Sequence, residues 1–453
     1  SGFEHGGVLA GGDRHGNAGR DGPFGVAGAD RRYNERIAGR GATLPMLTLN
    51  PASKYRSERP VPKIGLAIAG GGPLGAIYEL GALQALNEGI DGLRLHQLDH
   101  YVGVSAGAFL ATSLANQVTT SQMCRIFMGA PGAEFTFEPE SFLRPALREF
   151  GTRARNLPSA IYALITEAIQ HPMRLGRLES VGGLSRVLPT GIFDNETIDD
   201  FVDRVLSRPG RTNDFRKLET TLRVVAMDLD TGSTVRFGEP GTEHVPISRA
   251  VQASAALPGL YPPVKIDGRY FVDGALRRTL HASVALKDGV DLVIGVNPLV
   301  PYDAALAARP HISESRMIAG GLPLVLSQTF RALIQSRMQI GIAKYANQYP
   351  QSSILLVEPN RDDERMFFTN MFSYSSRSEL AEHAYRITRA ELLARADDLE
   401  KFLAPYDMAP DRAALAEERT LFASLRREPA YLAPLGNNLA RNLDRLDRVL
   451  EEM

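Results

Sequence analysis

The stretch His100-Tyr101-Val102-Gly103-Val104-Ser105-Ala106-Gly107 decides how the rest of the chain is read. Its first five residues form a run of strand type, and Ala106 to Asn116 continue with Phe109, Leu110 and Leu114 at helical spacing. Ser105 therefore stands where a strand turns straight into a helix, inside the pattern G-x-S-x-G. A bulky side chain two residues before or after such a serine collides with neighbouring backbone, and Gly103 and Gly107 answer that need. The helix opening at Ala106 aims N–H groups and a positive dipole end at the charge formed when a serine attacks a carbonyl. Ser105 is read as the nucleophile.

Upstream, Lys63-Ile64-Gly65-Leu66-Ala67-Ile68-Ala69 is a nearly continuous apolar strand, the type buried on both faces of a parallel sheet. It runs into Gly70-Gly71-Gly72-Pro73-Leu74-Gly75 and then a helix over Ala76 to Glu88. Ile77, Leu80, Leu83 and Leu86 fall at helical spacing there, and the small residues Gly81, Ala82 and Ala85 predict close packing on the sheet. Strand, helix, strand, helix is the start of an α/β fold. Gly70, Gly72 and Gly75 also satisfy G-x-G-x-x-G, the turn of a dinucleotide site. Such a site wants an acidic residue at the end of the next strand, and that strand ends in Gly103-Val104-Ser105. Bare backbone N–H groups converging beside a substrate carbonyl fit better, so Gly70, Gly71, Gly72 and Gly75 are read as an oxyanion hole.

Ser105 needs a base. Tyr270-Phe271-Val272-Asp273-Gly274-Ala275 delivers a carboxylate at a strand end beside a permissive glycine. The order serine, acid, histidine is also met by Ser105, Asp273 and any of His281, His311 or His383, which keeps a triad open. None of these histidines sits in a local motif, and a Ser105–Asp273 dyad is preferred.

Further strands are expected at Leu222 to Asp228, Leu292 to Val296 and Ser353 to Val357, with helices at Thr197 to Leu206 and Ile247 to Ala256. Three regions follow from this pattern. Residues 1–60 are Gly- and Arg-rich with few apolar side chains and read as a poorly ordered tail; residues 61–360 form the catalytic domain; residues 361–453 form a C-terminal helical extension. An insertion at about 131–190 carries Phe135, Phe137, Phe142 and Phe150, with seven arginines against three glutamates from Ser141 to Thr190. It reads first as cover for the core and second as a place where an anionic bilayer could be met. The segment from Leu322 through Ile342 reads as a core helix. Leu439, Leu443, Leu446 and Leu450 form a seam for internal packing or a homodimer, and oligomeric state stays open.

With 453 residues and 44% hydrophobic content, the chain can fill a sizeable core. Fifty-one basic residues against 52 acidic ones leave a formal charge of −1, so no global field exists to hold nucleic acid. The single cysteine, Cys124, cannot close an intramolecular disulfide, which fits a reducing compartment. No run of roughly 18 apolar residues is present to span a bilayer. The N-terminus shows no basic-then-apolar signal pattern, so the expected location is cytoplasmic, with peripheral membrane contact as a further option. The start at Ser1-Gly2 leaves a removed leader open.

Together the glycine loop, G-x-S-x-G and Asp273-Gly274-Ala275 resemble the hallmarks of the patatin-like phospholipase family, in that family's order. The aspartate turn Ala226 to Gly232 and the small-residue run Ala253-Ser254-Ala255-Ala256-Leu257-Pro258-Gly259 are similar to family features too. The resemblance covers about residues 62 to 300. It implies a three-layer α/β sandwich with a mostly parallel central sheet, and a Ser-Asp acyl hydrolase of phospholipid or lysophospholipid esters with no metal or organic cofactor. One departure stands out: the family loop reads G-G-G-x-R-G, and Leu74 holds the arginine position. A lipid-binding or scaffolding protein that kept the fold and lost turnover is the alternative.

Overall fold

The computed structural model describes residues 46–54, 61–130, 133, 137, 142, 144–146, 190–306, 316–368 and 374–425. The strands, in chain order, are β1 (Leu47–Asn50), β2 (Ile64–Ile68), β3 (Ile90–Asp91), β4 (His100–Val104), β5 (Thr221–Asp228) and β6 (Thr234–Phe237). They continue with β7 (Val264–Ile266), β8 (Arg269–Asp273), β9 (Leu292–Val296), β10 (Ser353–Val357) and β11 (Ala409–Pro410). Nine of them form one sheet in the order β1-β10-β9-β2-β4-β5-β8-β7, with β6 also on β5. From β10 through β5 all neighbours are parallel, while β1, β6, β7 and β8 pair antiparallel.

The central strands are apolar on both faces because both faces are covered. Leu66, Ile68, Tyr101, Val224, Ile294 and Leu355 point into one core cluster, whereas Ala67, Val102, Val225, Val293 and Leu356 point into a second. The first face carries helices α1 (Gly72–Gly89), α2 (Ala106–Ala115), α3 (Thr120–Met128), α4 (Glu196–Leu206) and α5 (Ile247–Ser254). The second face carries α6 (Ala282–Lys287) and the inner side of α7 (Gly321–Gln348). This is the expected three-layer sandwich with a mostly parallel sheet.

Towards the C-terminus come α8 (Glu364–Phe368), α9 (Tyr374–Ala394), α10 (Ala396–Leu403), α11 (Arg412–Ala416) and α12 (Leu421–Leu425). Leu380, Ala384, Tyr385, Leu399 and Leu421 join the first core cluster, so these helices share the core on the first face of the sheet. Gly81 explains how α9 approaches: a Cβ there would lie 2.3 Å from the Ala381 carbonyl oxygen. The small position expected to meet the sheet meets α9 instead.

Two sequence expectations change. Leu47–Asn50, inside the stretch read as tail, is an edge strand pairing with Ile354 to Val357; four residues are too few for a periodicity to show. The helix over 321–348 exists, but the expectation that it is a core helix fails, since Leu322, Phe330, Leu333 and Ile340 are exposed. Of the insertion, Phe137 and Phe142 pack with Phe127 and Phe201 against the first core. Phe135, Phe150, most of the arginines, the leucine seam from Leu439 and His311 lie outside the described residues. No described helix is long and apolar enough to cross a membrane.

Candidate active site

Strand register brings Ser105 and Asp273 together. Val104, the last residue of β4, pairs with Val225 of β5, and Asp273, the last of β8, pairs with Ala226, the next residue along β5. Strand β6 pairs with Val224 to Met227 and so occupies the other edge of β5. Parallel β4 and antiparallel β8 therefore share one edge and meet end to end. The residue following β4 and the residue ending β8 must face each other. Gly274 lets the chain turn away, because a Cβ there would sit 2.3 Å from the Val225 carbonyl oxygen.

At the elbow Ser105 adopts φ 54°, ψ −127°, a conformation unfavourable for a residue with a side chain. The surroundings hold it there. A Cβ on Gly103 would lie 2.4 Å from Ala108 Cα, and one on Gly107 would lie 2.3 Å from the Ala69 carbonyl oxygen. The Ser105 N–H donates to Ser254 Oγ at 2.8 Å, and the Ser254 hydroxyl donates to the Val225 carbonyl at 2.6 Å. Ser254 thus ties the strained backbone to β5, a strain that costs about 1–3 kcal/mol. Sequence reading placed Ser254 in a small-residue run and gave it no role; its neighbour on β5 is what reveals one.

Asp273 is buried at 2% exposure, accepts from the Ala275 N–H at 2.8 Å and accepts a hydrogen bond from the Ser105 side chain. Burial pushes its carboxyl up to about 6, against the downward pull of those two donors. A carboxyl so placed is ionised at neutral pH and poised to take a proton.

Gly70 sits between the two: a Cβ on it would be 2.9 Å from Ser105 Cβ and 3.0 Å from Ala275 Cβ. Its N–H is already engaged, donating to the Thr279 carbonyl at 3.2 Å, and the Gly75 N–H donates to the Gly71 carbonyl at 3.1 Å. Gly71 caps α1 and Gly72 opens it with φ +62°, so their amides belong to the first turn, where N–H groups have no intrahelical partner. Pro298, just beyond β9, walls this loop, since its Cγ would be 2.5 Å from a Cβ on Gly71. Leu74 packs against the first core cluster, so the position that breaks the family pattern is an apolar anchor.

Other sequence candidates fall elsewhere. His281 caps α6, and burial followed by the Arg278 charge lowers its imidazole to about 4, leaving it neutral near pH 7. Its hydrogen-bond partners are the backbone of Gly274 and Arg278. His383 pairs with Asp363 at 2.9 Å on the helical side of the fold. Asp228 accepts from the N–H groups of Asp230 and Thr231 and from Arg269, which makes it the clasp of its turn.

Residues 66–286 match the sequence model of the Patatin-like phospholipase family. Among solved structures, the chain is similar to VipD from Legionella pneumophila at 15% identity and a TM-score of 0.37, covering 78% of this chain and 71% of that one. It is similar to ExoU, in its heterodimeric complex with SpcU from Pseudomonas aeruginosa, at 15% identity and a TM-score of 0.25, over 94% and 78% of the two chains. Human GIVD cytosolic phospholipase A2, in complex with methyl gamma-linolenyl fluorophosphonate, matches at 15% identity and a TM-score of 0.22, over 58% of this chain and 44% of that one. The assignment rests on the family match. The domain over residues 66–286 belongs to the patatin-like phospholipase family, and the chain is an enzyme of that phospholipase and esterase class.

Proposed function

We propose that the chain hydrolyses lipid esters, phospholipid or lysophospholipid, through a Ser105–Asp273 dyad. The observation that carries this reading is the hydrogen bond from Ser105 to a buried carboxylate whose pKa is about 6. Asp273 takes the hydroxyl proton as Ser105 Oγ attacks the ester carbonyl. The oxyanion is held by the N–H groups of Gly71 and Gly72, with Ala106 at the start of α2 adding its amide. Gly70 and Gly75, whose amides are occupied, shape the loop without donating. The alcohol half leaves with the proton from Asp273, and water, activated by the same carboxylate, then releases the fatty acid from Ser105. Each oxyanion donor contributes about 3 kcal/mol of barrier lowering in sites of this kind.

The experiment is fatty-acid release from a panel of phospholipids and lysophospholipids, run with wild type, Ser105→Ala and Asp273→Asn. Release by wild type alone supports the dyad. Release by folded Ser105→Ala at the wild-type rate contradicts it. Vesicle binding without release by any of the three favours a lipid-binding protein that has lost turnover.

A further inference from the structure

We propose that the outward face of α7 is the surface on which this enzyme seats itself on a lipid bilayer. The inference rests on the acyl-hydrolase reading for its purpose, though not for its test.

Helix α7 runs for 28 residues without a carboxylate, and its charged side chains are Arg331, Arg337 and Lys344. Its two sides differ. Arg331, Gln335, Met338 and Tyr345 are buried and follow helical spacing along the inner side. On the opposite side Leu322, Leu326, Phe330, Leu333 and Ile340 are all exposed, and Ile318, one turn before the helix, is 76% exposed. Arg337 and Lys344 share that exposed side, toward the C-terminal end. Apolar surface gathered on one side in this way is often functional.

The buried side of α7 lies against the site. Asn297 donates to Met338 Sδ at 3.3 Å, and its neighbour Pro298 is the wall of the Gly71 loop. On the other flank Arg278, in the turn after Asp273, donates to the Tyr345 hydroxyl at 3.1 Å. The inner face of α7 is thus pinned to both the oxyanion side and the Asp273 side. Its outer face stands roughly 10 Å further out, one helix diameter away.

Two features favour lipid over a second copy of the chain. An apolar helix face bordered by cations and free of carboxylates suits an interface with anionic headgroups. Its area, roughly 42 Å long by 10 Å wide, is about half of the 800 Å² per partner that a stable dimer needs.

The test uses the full chain carrying Ser105→Ala, so that binding is read without turnover, and vesicles of phosphatidylcholine with and without 30 mol% phosphatidylserine (roughly a cytoplasmic-leaflet charge). Leu326→Glu/Phe330→Glu/Leu333→Glu is expected to lower the vesicle-bound fraction at least about tenfold. Arg337→Glu/Lys344→Glu, which leaves the apolar stripe intact, is expected to lose binding mainly on the phosphatidylserine vesicles. In the Ser105 background the triple variant should lose vesicle hydrolysis in parallel while keeping turnover of a monomeric short-chain ester within about twofold, since none of these residues touches the dyad. Binding by the triple variant equal to that of the parent overturns the proposal. So does a parent that ignores vesicles, or a dimer in solution that the triple variant dissociates, or a loss of thermal stability showing that another part of the chain covers the stripe. Failure of wild type to release fatty acid, with vesicle binding intact, would count against the hydrolase reading and leave the seating surface standing.

Discussion

Replacing Asp273 by Asn should abolish hydrolysis and stabilise the fold, in a pH-dependent way whose size follows from the site. Burial holds the native carboxyl near 6, while the ordinary value is 3.8. At 1.36 kcal/mol per pH unit, keeping that group ionised in the fold costs about 3 kcal/mol once the pH is well above 6. Below 3.8 both native and unfolded chains hold the proton, so the cost is absent. Between the two values the unfolded chain ionises first, and about half of the cost has appeared by pH 5. An Asn side chain carries no charge, can still accept from the Ala275 N–H, and can offer its amide to Ser105. The variant should therefore gain on wild type by an amount that grows from pH 4 to a plateau above pH 7, about 2.5 kcal/mol higher. Urea unfolding of both proteins at four or five pH values measures this directly, because every other titrating group is common to the pair and cancels. A stability difference that is flat with pH, or that shrinks as pH rises, would refute the claim that Asp273 is a desolvated carboxylate.

The same carboxyl sets the acid limb of activity: kcat/KM for a non-ionising ester should rise with pH with a midpoint near 6, and a limb near 4 would mean the base is elsewhere. Gly71→Ala places a methyl 2.5 Å from Pro298 Cγ and 2.7 Å from Gly75 Cα, so the loop must shift. Its kcat should fall about 100-fold with the protein still folded, which steady-state kinetics and circular dichroism check together. Ser254→Ala leaves the Ser105 N–H and the Val225 carbonyl without their shared partner. It should cost about 2 kcal/mol in urea unfolding and at least about tenfold in kcat; an unchanged kcat would show that the elbow holds itself.

The strand-to-helix elbow at Ser105 was legible because its requirements are local in sequence. Gly103 and Gly107 are spaced around Ser105 by the steric demand of the elbow, and the distances of 2.4 and 2.3 Å to neighbouring backbone express the same demand in space. How Asp273 reaches Ser105 was not legible. It depends on β8 running antiparallel into the end of β4, a pairing fixed by β5 and β6 far away in the chain. Four glycines looked equivalent in the loop, yet Gly70 and Gly75 spend their amides on carbonyls, and only the fold separates them from Gly71 and Gly72. Helix α7 misled for a related reason. Apolar residues lie on both of its sides, so spacing alone gives no contrast between the side against Asn297 and the side facing outward.

The central claim, that Ser105 is activated by Asp273, is tested most directly by fluorophosphonate labelling followed by intact-mass and peptide analysis. The account predicts one adduct, on the peptide containing Ser105, forming at a rate that rises with pH around 6 and lost in both Ser105→Ala and Asp273→Asn. An adduct on any other residue, or labelling of Asp273→Asn at the wild-type rate, would contradict it.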